Sequence, residues 1–261
     1  MEITAHIEFL AREGELLAEA AEKAGPGAPV PTCPGWQVRD LLRHTGMVHR
    51  WATAFVVEGH TSYHPDGGEP DLDGDALLEW FRKGHRLLVA ALTEAPDTLE
   101  CWTFMPAPSP RAFWARRQAH ETTIHRVDAQ CALGTAAAPG AVSTRTAAAV
   151  AAEVAPEMAA DGIDELLRGF HAREKSRVRT PEPGVLRVRA TDTDDVWTVR
   201  LSAGPPRATR GAEGAADCEL RGTAEQLYLT LWNRLPAGRV TVTGDERLAG
   251  LWRENSAVTW S

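Results

Sequence analysis

Three ionisable side chains crowd one short stretch, RQAHETTIHRVDAQ (117–130): His120, Glu121 and His125. Imidazoles and carboxylates in such company are candidate metal ligands or acid–base groups. The spacing departs from the zinc-binding pattern H-E-x-x-H, because the second His falls one residue late. On a helix of about 3.6 residues per turn, a spacing of four returns a side chain to the same face, while a spacing of five swings it about 140° away. Glu121 and His125 therefore share a face, and His120 cannot join them on a regular helix. Residues from Pro110 to Gly134 support that helix, with no Gly or Pro in between. Two ligands are one short of a zinc-type site that keeps an open position.

A third ligand must come from elsewhere in the chain. The stretch TCPGWQVRDLLRHTGMVHRW holds His44 and His49, and an apolar stripe of Val38, Leu41, Leu42, Thr45 and Val48 marks its buried side. His44 borders this stripe, whereas His49 lies about 140° around the helix. Taken alone, His44 reads as a boundary residue at least as readily as a ligand. The carboxylate–imidazole pair on another helix makes it a candidate, since facing helices with inward ligands commonly build metal sites.

The elements that would position these residues follow from periodicity. Helices are expected over 3–24, about 37–58, roughly 75–95, the stretch around Glu121, and 143–168. After Phe170 the period changes. GVLRVRA and DVWTVRL alternate as a hairpin, ADCELRG and RVTVTGD read as strands, and TAEQLYLTLWNRL and ERLAGLWREN as helices, the first with Thr223 as N-cap. The expected fold class is α plus α+β: a helical bundle over 1–170, then a small α+β domain over 171–261, joined near the polar stretch 170–182.

Bulk properties exclude several functions. A net charge of −8 without a basic tract argues against nucleic-acid binding. No apolar run is long enough to span a membrane, and the acidic, amphipathic N-terminus is unlike a signal peptide. Cys33, Cys101, Cys131 and Cys218 are scattered with no C-x-x-C pair, which reads as reduced thiols and a cytoplasmic location.

PGWQVRDLLRH (34–44) and ETTIHRVD (121–128), with LRGTAEQLYLTLWNRL (220–235) and VTVTGD (240–245) behind them, resemble the mycothiol-dependent maleylpyruvate isomerase family. The resemblance runs through nearly the whole chain in the family's order. It implies a DinB-like four-helix bundle followed by a domain similar to sterol carrier proteins. It also implies His44, Glu121 and His125 as the ligands of a divalent metal, zinc, with a solvent position left open. Mycothiol is the implied thiol cosubstrate, and Arg234 in LWNRL matches an arginine the family often carries.

This ligand set suits the implied chemistry. A free thiol has a pKa of about 8.5, and coordination can deprotonate it at neutral pH. A metal-held thiolate can attack a small electrophile. Release of the adduct makes an S-transferase, whereas addition, bond rotation and elimination make a cis–trans isomerase. Asp128 lies near the same helical face as Glu121 and His125, where it could support a ligand imidazole; a surface carboxylate paired with Arg126 or Arg117 is the blander reading. Arg43, Arg116 and Arg117 read as anion-binding groups or as solvated helix faces. The same three ligands would also serve a zinc hydrolase that activates water, or a non-catalytic metal-binding regulator. Neither the electrophile nor the oligomeric state is legible.

Overall fold

The computed structural model describes residues 1–134 and 153–258, and the chain divides into two compact units, Met1–Ala152 and Glu153–Ser261. The first unit holds α1 (Ile3–Ala24), α2 (Val38–Glu58), α3 (Gly74–Glu94) and α4 (Pro110–Leu133). Local chemistry sets their ends. A capping box between Gln37 and Asp40 opens α2, and Gly59, at φ 66°, closes it in the left-handed region. Asp73 caps α3. Ser109 accepts from the Ala112 amide, and Pro110 occupies the first turn of α4.

α1 packs beside α4 and α3, and α2 beside α3 and α4, so α1 and α2 lie across one diagonal of the bundle. Leu17, Leu41, Leu77 and Phe81 fill one stretch of the core with Ala129 and Ala132. Two glycines let α2 and α3 approach closely: a Cβ on Gly46 would strike the Trp80 ring, and one on Gly84 the Arg50 guanidinium.

α4 differs from its neighbours. Trp114, Ala115, Ala119 and Ala129 are buried, but so are Arg117, Gln118, His120, Glu121, Thr122, Thr123, His125, Arg126 and Asp128. A helix buried on nearly every side is ordinarily apolar all round. Burying so many polar groups is costly unless they are satisfied, and α4 meets part of that cost with specific partners. Arg126 donates from Nε to Glu13 Oε2 on α1 at 2.6 Å and from Nη1 to Gln130.

The second unit opens with α5 (Pro156–Asp164), which runs into a π-helical turn over Glu165–Phe170. Five strands follow: β1 (Gly184–Ala190), β2 (Val196–Leu201), β3 (Arg207–Arg210), β4 (Cys218–Gly222) and β5 (Thr241–Gly244). The sheet order is β3-β2-β1-β4-β5, with β1 parallel to β4 and every other pairing antiparallel. α6 (Ala224–Leu231) begins at a capping box between Thr223 and Gln226, and α7 (Glu246–Asn255) follows β5.

Three features depart from the sequence expectations. The described part of the expected 143–168 helix is α5, and residues 143–152 lie outside the described residues. The division between units falls before α5 rather than at 170. The physical reason is that α5 packs on α6 and its last residue, Asp164, accepts from Trp197 Nε1 at 3.1 Å and from Arg210 Nε at 2.9 Å on the sheet. β3 carried no alternating apolar signal because RATR is an edge strand with little buried surface.

Candidate metal centre

His44, on α2, and Glu121 and His125, one turn apart on α4, converge on one point. His44 Nε2 is 3.5 Å from Glu121 Oε1, and His125 Nε2 is 3.2 Å from the same oxygen. The two imidazoles meet edge to face with centroids 5.3 Å apart. Donors held about 2.0–2.2 Å from a tetrahedral ion lie about 3.3–3.6 Å from one another. The three side chains therefore fit one cation, with two nitrogens and one oxygen as donors, all within 4.8 Å of one another.

Support lies behind the donors. His125 Nδ1 is 2.9 Å from Asp128 Oδ2, and Asp128 is fully buried. A carboxylate on the far nitrogen fixes the ring's orientation and directs Nε2 toward a ligand. Cys33 donates from Sγ to that same Asp128 oxygen at 3.3 Å. Asp128 is thus buried beside His125 and Cys33 rather than lying at the surface. Trp36 stacks against His125 at 6.2 Å and tilts over His44 at 5.1 Å, so one indole contacts both imidazoles. Arg117 is 1% exposed, not a solvated helix face, and donates from Nη2 to Glu121 Oε2 at 3.2 Å.

The electrostatics suit a cation. Burial would raise the Glu121 pKa, but hydrogen bonds from His125 and His44 hold it well below the usual carboxylate range. Burial would likewise lower His125, yet Asp128 and Glu121 together hold it up at about 9. An imidazole must be neutral to ligate, so a cation entering here displaces that proton.

The other histidines stand apart from the triad. His120 is buried on α4 against His6, with ring centroids 6.1 Å apart. His49 is buried too, its Nε2 2.9 Å from Thr122 Oγ1, and its ring lies 5.6 Å from His85. His85 donates from Nε2 to the Leu10 carbonyl. Arg234 belongs to the second unit. It sits half-buried in the turn after α6, following Asn233 at φ 62°, and donates from Nη1 to the Trp232 carbonyl.

Sequence reasoning missed Cys33, the contact of Trp36 with both rings, and the pairing of Arg117 with Glu121. One signal was available: α4 is polar around its whole circumference, yet it lies between apolar-striped helices and must be buried.

The described residues form two units: one with four helices bearing a largely buried His₂–carboxylate cluster, then a small sheet-and-helix unit. It belongs to the mycothiol-dependent maleylpyruvate isomerase family. The family's pattern "Mycothiol maleylpyruvate isomerase N-terminal domain" matches residues 8–130, and "MDMPI C-terminal domain" matches 157–251. Two crystal structures share the fold. A histidine-to-alanine mutant of the mycothiol-dependent maleylpyruvate isomerase has a TM-score of 0.61 at 12% identity, and the unmutated enzyme 0.59 at 13%. Each alignment covers 93% of this chain and 93% of the other. No curated protein matches the chain in sequence.

Proposed function

We propose that this chain is a metal-dependent enzyme that uses a low-molecular-weight thiol, mycothiol, to attack a small electrophile, as an S-transferase or a cis–trans isomerase. The convergence of His44, Glu121 and His125 with Asp128 behind them carries this reading. Family membership supplies the thiol. Zinc is the proposed ion, because two imidazoles and one carboxylate with a fourth position free are a common catalytic zinc set.

When bound, the cation would supply Lewis acidity that makes a thiol ionise near neutral pH. The remaining work belongs to the protein. His44, Glu121 and His125 would hold the cation, and a cosubstrate sulfur would complete its coordination. Asp128 keeps the proton of His125 on Nδ1, so that Nε2 is a donor to the cation. Trp36 shields both imidazoles from water on its side, which strengthens the electrostatics within. Arg234 is proposed, on the family pattern, as an arginine for an anionic substrate. The proposed working location is the cytoplasm, where thiols stay reduced.

Cobalt(II) in place of the native metal reports directly on sulfur ligation. Titrating mycothiol into the cobalt protein is expected to raise a saturable sulfur-to-cobalt charge-transfer band in the near ultraviolet, missing from Glu121→Ala. A d–d spectrum unaffected by thiol would sink the thiol reading and leave only a metal site. No cobalt uptake would sink the triad.

A further inference from the structure

The two oxygens of Glu121 have separate partners. Oε1 faces His44 Nε2 and His125 Nε2, at 3.5 and 3.2 Å, whereas Oε2 accepts from Arg117 Nη2 at 3.2 Å. Arg117, Glu121 and His125 stand at successive spacings of four on α4, so the three share one helix face. Arg117 is 1% exposed, and a guanidinium does not lose its charge in a protein. A buried, permanent cation beside one carboxylate oxygen keeps that oxygen occupied.

We infer that Arg117 is a positioning residue that restricts Glu121 to ligation through Oε1 alone, and that this restriction keeps the fourth coordination position open for the thiol. The inference rests on the metal-centre reading above and deepens it. A carboxylate can give a cation one oxygen or two. If Glu121 turned both toward the ion, the protein would supply four donor atoms, and an incoming sulfur would have to compete with its own enzyme. With Oε2 engaged by Arg117, the protein supplies three. Arg117 also adds a positive charge next to the ligand carboxylate, which reduces the electron density that Glu121 gives to the cation and favours an anionic fourth ligand.

Two measurements test this, and the first needs no variant. The infrared difference spectrum of zinc-loaded minus metal-free protein, with glutamate carrying a ¹³C carboxyl, isolates the ligand carboxylate. A wide separation of its antisymmetric and symmetric stretches is expected, the signature of one-oxygen ligation. A narrow separation, meaning two-oxygen ligation, would overturn the inference while leaving the metal centre intact.

The second compares cobalt(II) spectra of the wild type, Arg117→Met and Arg117→Lys. The d–d absorption of Arg117→Met is expected to weaken as coordination number rises, and its charge-transfer band to saturate at roughly tenfold higher mycothiol. Arg117→Lys, which keeps a charge and a single donor, is expected to recover most of both. A cobalt-loaded Arg117→Met with wild-type d–d intensity and thiol affinity would overturn the role given to Arg117. A wild type that takes up cobalt but never shows the sulfur band strikes the proposed thiol chemistry instead, and the infrared result still decides the denticity.

Discussion

His125→Ala is expected to lose its bound metal and with it nearly all turnover, while the first unit stays folded. His125 is held at both ring nitrogens: Nε2 faces Glu121 Oε1 at 3.2 Å and Nδ1 faces Asp128 Oδ2 at 2.9 Å. Removing the ring takes away one donor and the anchor of the carboxylate behind it. A catalytic cation contributes several kcal/mol of transition-state stabilisation, and at about 1.4 kcal/mol per decade its loss costs about three orders of magnitude or more in rate. The control is His120→Ala. That ring is equally buried and lies only five residues away, but it sits against His6 on another side of α4. His120→Ala and His49→Ala should keep a full equivalent of metal by elemental analysis. If His120→Ala strips the metal as completely as His125→Ala, the assignment of faces on α4 is wrong.

Glu13→Ala is expected to be among the most destabilising single changes in the bundle. Glu13 on α1 and Arg126 on α4 form an ion pair of 2.6 Å whose side chains are 4% and 2% exposed. Truncating Glu13 leaves a charged guanidinium in the interior with its Nη1 bond to Gln130. Removing one member of a buried pair costs about 3–5 kcal/mol, a large share of a domain's typical stability. Urea unfolding of the metal-free protein measures it. The double variant Glu13→Leu/Arg126→Met should regain most of the loss, because an apolar pair of similar volume needs no desolvated charges. A loss below about 1 kcal/mol in Glu13→Ala would mean that water reaches the pair.

Much of the site was legible before the fold, for a reason specific to helices. Glu121 and His125 could be placed together, and His120 apart, from spacing alone, since a helix converts residue number into direction. His44 could be nominated only as a stripe-border residue, because nothing in a sequence states which helix faces which; the family resemblance selected it. The first four helices have the expected bounds to within a few residues, and Thr223 caps α6 where the sequence placed a cap. The loop residues were another matter. Cys33 and Trp36 precede α2, and their contacts with Asp128 and His125 span about ninety residues of chain, beyond any local pattern. Arg117 read equally as an anion-binding group or a solvated helix face, because arginine is usually exposed. Only the all-round burial of α4 reverses that expectation.

The neighbouring rings of His49 and His85 give the bundle a built-in sensitivity to acid. Burial holds both below the ordinary value of 6.5, that of His49 well below; the charges of His85 and Arg50 add to the effect at His49, and the Leu10 carbonyl and Glu15 partly oppose it at His85. The folded bundle therefore keeps them uncharged, whereas the unfolded chain takes up their protons as pH falls through about 6.5. Stability is accordingly undiminished by this pair above that pH and declines below it, toward their folded pKa values. His125 works in the opposite window: raised to about 9, it stabilises the metal-free fold at and below 6.5 and ceases to do so as pH rises through 9. Thermal unfolding of metal-free protein should therefore peak between the two windows. His49→Asn should flatten the acid side of that curve and leave the alkaline side unchanged.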